Sequence, residues 1–471
     1  MTYLELDSGS GLSAFLLVYF TLFLDNVLLT VLVPIIPDWV RGEALALWRQ
    51  QGAPLASLLN RTVAASEAGS GGAQAAVGIV LGARSAAQLA AAPAAAVLTL
   101  RLGPARSLRL ATLSLAVAAL VFAWCGKLSD SGGVGCAVCA GVGRGIQGCG
   151  GALGGVAGMA LVSRALRPAR RHSALSALLG AVALGVLVGY PFGGAAYKLW
   201  SPAAPFQLIA LTLFTNLGLQ YMFLNKTEYN ERPDDEEERS MAWSSSLREM
   251  WCECRGVGGA GAGAGAVFVS TGVMAALEPC LPLWIEHKFH PQRWALGAVF
   301  VPDSIGYLVS TSVVPACGSG TSVAVWGLAS VGFGAISAAI AQSLVAVAGC
   351  EAVAGAGVGA VDAALVPALL AHSTPARLPH RAALLQSAAS AAFAIGPVLG
   401  GLASWCVGFE TCLRALGVIN LLYAAALYRH LRKYPLSEQW AHSGDDEDSM
   451  GSELTPLGPI IKGTSKSSTL H

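Results

Sequence analysis

The sequence predicts an all-α polytopic membrane protein, with twelve transmembrane helices arranged as two six-helix bundles. Three observations carry this. The chain of 471 residues is 54% hydrophobic and only 12% charged, about half the charge of an ordinary soluble domain. Its mean hydropathy is +0.59. Its apolar residues fall into long runs, each near the roughly 20 residues that cross a bilayer as a helix.

Twelve such runs follow one another, over 12–37, 75–98, 107–125, 134–162, 172–198, 205–224, 264–286, 294–316, 321–342, 345–371, 380–406 and 411–429. The first follows a short acidic start without a small-residue cleavage site, so it is expected to remain as a membrane helix. The 56 glycines suit close helix packing where water supplies no driving force. The chain divides into an N-terminal bundle (1–224) with a loop at 38–74, a linker (225–262), a C-terminal bundle (263–430) and a polar tail (431–471). The acidic run Asp234 to Glu238 marks the linker as a solvated connection. The tail, with Asp445, Asp446, Glu447 and Asp448, is a place for sorting adaptors.

Basic residues set the orientation. Arg101, Arg106, Arg109, Arg164, Arg167, Arg170, Arg171, Arg377, Arg381, Arg429, Arg432 and Lys433 all fall on one side of a twelve-span chain. The positive-inside rule makes that side cytosolic, with both termini inside. The opposite side carries Asn60-Arg61-Thr62, an acceptor sequence for N-glycosylation at Asn60. A second one, Asn225-Lys226-Thr227, faces the cytosol in this topology and is expected to stay unmodified.

Composition and motifs exclude several classes. A formal net charge of +1 leaves no nucleic-acid footprint. No nucleophile–base or phosphate-loop signature points to an enzyme, and no cofactor is implied. The 11 cysteines show no metal-ligand spacing, and Cys136 and Cys139 are expected to be small packing residues in an apolar run.

Charged side chains inside the runs carry the functional reading. Each costs roughly 2.5–3.5 kcal/mol at a helix centre on insertion scales, so it requires a reason. Asp25, Arg84, Arg144, Glu278 and Asp362 lie deep in their runs, and Asp303 and Glu351 fall within or near others. Asp25, beside Asn26, suits an ammonium ion or a proton, or a structural partnership with Arg84 or Arg144. Glu278 precedes Pro279, which removes a helix hydrogen bond beside the acid. Glu278 and Asp362 suit titration, or fixed salt bridges. Three acids against two permanently charged arginines leave one excess negative charge, which a monocation or a proton neutralises. That arithmetic favours cation–proton exchange. Gly189-Tyr190-Pro191-Phe192-Gly193-Gly194 in the fifth run is echoed by Gly396-Pro397-Val398-Leu399-Gly400-Gly401 in the eleventh. The pair suits bending or close packing around a cavity between two related halves.

Longer motifs carry a resemblance. Phe23-Leu24-Asp25-Asn26 through Val33-Pro34-Ile35-Ile36-Pro37, Gly143-Arg144-Gly145-Ile146-Gln147-Gly148, Leu277-Glu278-Pro279 with Leu281-Pro282-Leu283-Trp284, and Gly359-Ala360-Val361-Asp362 resemble the vesicular amine transporters, within the major facilitator superfamily. The wording of the fourth and fifth runs is closer to the monoamine branch than to the acetylcholine branch. The resemblance implies a proton-coupled antiporter that loads serotonin, dopamine, noradrenaline or histamine into acidic secretory or synaptic vesicles, driven by the proton gradient. Acetylcholine, a polyamine, a broad range of organic cations, and a non-transporting relative are the alternatives. The resemblance further implies that Asp25 and Glu278 take the amine, that Asn26 supports polar substrate groups, and that Asp362 couples to protons. Tyr307, Phe300 and Phe393 would line the pocket, Trp284 would stand at the lumenal gate, and Arg144 would organise the fourth helix. Ordinary helix packing is an equal expectation for the aromatic residues. The chain departs from the family at Arg84, where the family has lysine; at Gln386, where its partner is aspartate; and at Phe393, where it has tyrosine. The family's lumenal disulfide has no cysteines here. The loop Leu100-Arg101-Leu102-Gly103 lacks the superfamily's acid.

Overall fold

The computed structural model describes residues 9–32, 71–128, 134–199, 201, 203–224, 243–255, 259–290, 298–316, 321–371, 373–374 and 377–433. Asn60, Asn225, the acidic run of the linker and the tail beyond residue 433 lie outside them.

The described residues are helical and contain no strand. The first bundle comprises α1 (Gly9–Leu32), α2 (Gly71–Leu102), α3 (Pro104–Leu128), α4 (Val134–Ala165), α5 (Pro168–Leu199) and α6 (Ala204–Phe223). A connecting helix, α7 (Trp243–Arg255), follows. The second bundle comprises α8 (Ala260–Phe289), α9 (Val301–Val313), α10 (Thr321–Ile340), α11 (Leu344–Ala371), α12 (Leu378–Val407) and α13 (Phe409–Lys433). Eleven of these helices are long and apolar enough to cross a membrane. The exception among the bundle helices, α9, continues as a 3-10 turn over Val314–Ala316, and occupies the eighth expected span. The breaks follow local chemistry. Gly103 and Gly408 adopt φ of 83° and 84°, a left-handed turn that glycine makes without a Cβ clash. Pro104 then begins α3, where a missing N–H costs nothing.

The two halves repeat one packing plan. In the first, α1 packs on α5, α2 and α3 on α4, and α3 on α6. In the second, α8 packs on α12, α9 and α10 on α11, and α10 on α13. The halves meet through α2 with α12 and α5 with α9, flanked by α4 with α12 and α5 with α11. The Gly/Pro echo in the sequence marks the same joint in both halves. On α5, a Cβ on Gly185 would meet the Phe23 carbonyl and Asn26, and one on Gly189 would strike Thr30 and Val27. On α12, Gly396 and Gly400 lie against Ala275 and Ala276 of α8.

One end of the molecule is closed and the other is open. At the end where α1 begins and α13 finishes, a single apolar core runs through both halves, from Ala14, Leu108, Leu161 and Leu175 to Ala264, Leu328, Leu369 and Leu427. Toward the opposite end the core splits. Leu28, Phe122, Cys136 and Phe206 belong to the first half alone, and Leu277, Ile285, Val331 and Val347 to the second alone. A cleft between the bundles therefore opens away from the termini. The outer faces carry exposed Leu16, Trp124, Leu211, Met222, Trp326 and Val345, an apolar belt suited to lipid rather than water.

Two features differ from the sequence expectations. The linker was expected to be a solvated connection, yet part of it forms α7 and packs on α2 and α12. The α7 residue Ser246 is buried and donates to the Pro93 carbonyl at 3.1 Å. Glu253 accepts from Arg381 Nε at 2.8 Å. Cys139 is not a simple packing residue, because it forms a disulfide with Cys125 that ties α3 to α4 near the open end. Cys136 keeps the packing role, buried in that core.

The joint between α1 and α5 makes a stability prediction. Gly189→Val would overpack it and cost about 1–3 kcal/mol or more. Gly218→Ala, where a Cβ meets open space, should be neutral or stabilise by up to about 1 kcal/mol. Melting temperatures of the purified variants in detergent would separate the two outcomes.

Candidate functional site

The membrane charges gather along the cleft in two groups, one in each half. The first is built on α1, α2 and α4. Asp25, about two turns from the end of α1, and Arg84 on α2 form a buried ion pair, with Arg84 Nη2 2.8 Å from Asp25 Oδ2. Gln147 on α4 donates through Nε2 to Asp25 Oδ1 at 3.1 Å and to the Asp25 carbonyl at 3.1 Å. Both carboxylate oxygens are therefore engaged. Arg144 lies one turn earlier on α4, is 0% exposed, and donates to Gln147 Oε1 at 3.4 Å and the Leu29 carbonyl at 3.3 Å. Glycines make the room for this group. A Cβ on Gly151 would lie 2.9 Å from Asp25 Oδ2, and one on Gly148 would run into the backbone of α2 at Arg84.

The second group lies on α9 and α11. Tyr307 donates its hydroxyl to Asp362 Oδ2 at 2.7 Å, and Asp362 Oδ1 has no partner among the described residues. Between the groups stands Glu278 on α8. It is solvent-accessible although it lies deep in an apolar helix, so it faces the water of the cleft rather than a core. Arg144 of the other half acts on it electrostatically.

The remaining expected residues separate by position. Asn26 is buried and donates to the Leu22 carbonyl of its own helix at 2.8 Å, with its Cβ turned toward Gly185 of α5. Phe393 is exposed and lies two turns beyond Gln386, on the same face of α12. Gln386 points its amide oxygen at Gly155 of α4. Phe300 and Tyr307 pack with the second-half core that also holds Trp284. Trp284 stacks near Phe409, with ring centroids 5.2 Å apart. Lys288 Nζ lies 4.4 Å over the Trp284 ring and 2.8 Å from Glu410 Oε1. This aromatic and ionic cluster sits at the open rim of the second half.

Two alternatives left open by the sequence are decided by this geometry. Arg84 pairs with Asp25 and not with Asp362. In the second half Asp362 has a tyrosine beside it and, among the described residues, no ion-pair partner. Gln147 is a site residue that sequence reasoning quoted only as part of a motif. Its signal was its spacing from Arg144, one helical turn on the same face.

The Major Facilitator Superfamily model matches residues 15–258 and 263–464. The chain belongs to the major facilitator superfamily. The chain is similar to the synaptic vesicular amine transporter of Bos taurus, 25% identical over 63% of this chain and 56% of that protein. It is similar to the chromaffin granule amine transporter of Homo sapiens, 26% identical over 63% of this chain and 56% of that protein. The chain thus spans little more than half the length of these relatives. A probable vesicular acetylcholine transporter-B of Danio rerio is 24% identical over 86% of this chain and 76% of its own length. Among solved structures, the human organic anion transporter MFSD10 (TETRAN) superposes with a TM-score of 0.70 at 16% identity, covering 89% of this chain and 100% of that one. That likeness concerns the fold. The superfamily's two-bundle arrangement is the repeated packing described above.

The ion pair makes its own prediction. Asp25→Asn leaves Arg84 buried beside a neutral amide and should destabilise by about 3–5 kcal/mol. Adding Arg84→Gln removes the orphaned charge and should recover a good part of the loss. Thermal unfolding of the single and double variants, as a double-mutant cycle, checks both outcomes.

Proposed function

We propose that this superfamily member is a vesicular antiporter that exchanges protons for a cationic monoamine, such as serotonin, dopamine, noradrenaline or histamine. The observation that carries the reading is Glu278, an accessible acid deep in the cleft, facing a half whose arginines are already engaged. An ammonium ion in the cleft finds Glu278 accessible, whereas Asp25 is already held by Arg84 and Gln147. The exposed face of Phe393, on the same cleft, suits cation–π contact with an amine. Asp25, held by Arg84 and Gln147, acts on the amine through the charge balance of the pair and less through direct contact.

Orientation follows from charge. The closed end carries the basic residues Arg101, Arg109, Arg164, Arg171 and Arg381, so by the positive-inside rule it faces the cytosol with both termini. The open cleft then faces the vesicle lumen. In that state protons reach the acids and amine leaves; rocking of the two bundles re-exposes the cleft to the cytosol. The similarity to acetylcholine transporters, one of which matches along 86% of this chain, supports a second reading with a quaternary amine as cargo.

Uptake of labelled serotonin into acidified vesicles containing the protein tests the proposal. Uptake should collapse when the pH gradient is dissipated. Glu278→Gln should raise the half-saturating serotonin concentration by about tenfold or more, equivalent to about 1.4 kcal/mol. Absence of gradient-dependent uptake of any amine would sink the reading, and stronger competition by acetylcholine than by serotonin would favour the second.

A further inference from the structure

Asp303 and Glu351 take no part in the network around Asp25, yet the fold brings both to the seam between α9 and α11. Glu351, Gly355, Gly359 and Asp362 recur three or four residues apart and share one face of α11. Asp303 and Tyr307 are one turn apart on α9. Glycine sets the closeness of the seam. A Cβ on Gly359 would lie 2.7 Å from the Tyr307 carbonyl oxygen. One on Gly355 would run into both the backbone and the carboxylate of Asp303. The Asp303 carboxylate thus rests on Gly355, one turn from Glu351, and the two acids act on each other electrostatically. Tyr307 is influenced in the same way by both Asp303 and Asp362.

Nothing described at this seam supplies a compensating positive charge. Glu351 is 1% exposed, and its Oε2 has no hydrogen-bond partner among the described residues. The other ionisable neighbour acting there is the Cys350 thiol. Helix α10, packed along α11, contains no ionisable side chain. On α8, Glu278 is directed to Arg144. On α5, Arg170, Arg171 and His172 lie in the first turn, at the closed end, and Lys198 lies in the last turn, beside Leu199. Among the described residues no group of three or more His, Cys, Asp or Glu is placed to hold a metal ion. Two carboxyls that repel each other across so closely packed a seam are less costly when one is protonated than when both are ionised, and a proton held by the pair relieves that repulsion.

We infer that Asp303 and Glu351 form a proton-sharing carboxyl pair that supplies Asp362 from the open end of the cleft. Asp303 is half-buried in the first turn of α9 and so has access to solvent, whereas Glu351 is sealed. Asp362 lies eleven residues further along α11, about 16 Å deeper. When a proton passes inward, the pair gains one negative charge and the Tyr307–Asp362 pair loses one. Tyr307, one turn from Asp303 on α9 and hydrogen-bonded to Asp362, stands between the two sites. The inference deepens the proton coupling proposed above and rests on it for direction, but the pair itself is open to independent measurement.

Infrared difference spectra of the full chain in lipid nanodiscs, taken across a pH titration, read the pair without transport. The unaltered protein should show a titrating carbonyl stretch of a protonated carboxyl that both Glu351→Gln and Asp303→Asn remove, and that Asp362→Asn leaves in place. Glu351→Asp keeps the acid and should retain the band with a shifted midpoint, which guards against loss through misfolding. A band unaffected by either amide variant, an unshifted midpoint in Glu351→Asp, or a band that responds to sodium instead of pH would overturn the inference. In vesicles, Glu351→Gln should slow amine-driven proton release at least severalfold while leaving equilibrium amine binding unchanged. A parallel fall in binding would assign the pair a structural role and overturn it. If the unaltered protein moves no amine while the band behaves as expected, the antiport reading fails and the carboxyl pair stands.

Discussion

Burying charge without water is the constraint on which the rest of this structure depends. In a bilayer an ionised side chain must find its counter-charge and its hydrogen bonds inside the protein. The first bundle meets this with Asp25 and Arg84 at 2.8 Å and with Gln147 on the second carboxylate oxygen. Such a pair is possible only where helices come very close. Gly148 and Gly151 on α4 provide that closeness, since a side chain at either would displace α2 or the pair itself. The glycines along this seam are therefore required by the charges, which could not be accommodated without them.

The same constraint separates the two bundles functionally. In the first, the acid is neutralised by an arginine that stays protonated at any working pH. In the second, Asp362 has a phenol hydroxyl for a partner, and Asp303 and Glu351 have each other. A carboxylate beside an arginine is a fixed charge. A carboxyl beside a hydroxyl or another carboxyl is neutral when protonated and unstable when not. The first bundle is thus suited to hold a constant field, and the second to change charge. The two are joined across the cleft by the electrostatic influence of Arg144 on Glu278.

Much of the architecture was legible in the sequence because bilayer thickness converts directly into run length. The twelve expected runs correspond to twelve bundle helices, and the paired Gly/Pro motifs of the fifth and eleventh runs mark equivalent joints. The pairing of Arg84 was not legible. Asp25 and Asp362 are both acids in apolar helices, and only the packing of α1 and α2 on the shared helix α4 selects between them. Helix α7 was hidden by the acidic run preceding it, whose composition signals solvation. Its burial depends on Ser246 reaching the Pro93 carbonyl and Glu253 reaching Arg381, contacts between residues more than a hundred positions apart. The Cys125–Cys139 disulfide was missed for a related reason. The nearer Cys136 suggested a local CxxC, while the actual partner lies on the neighbouring helix.

The substitution of an amide at Gln386 takes on a specific meaning in this arrangement. An acid at that position on α12 would face the first bundle and compete with Asp25 for Arg84. With Gln386 instead, its amide oxygen directed at Gly155, Asp25 is the one acid paired with that arginine among the described residues. The ion pair therefore lies wholly within the first bundle and does not bolt the two halves together. The contacts that close the end near the termini are then mainly apolar, through Leu161, Leu175, Leu365 and Leu385, supplemented by the clasp of α7 on Arg381. Apolar contacts separate without leaving a buried charge unpaired, whereas parting an ion pair across the interface would strand one on each side. A cleft closed in this way can open by rocking at modest cost, without breaking an ion pair between the halves.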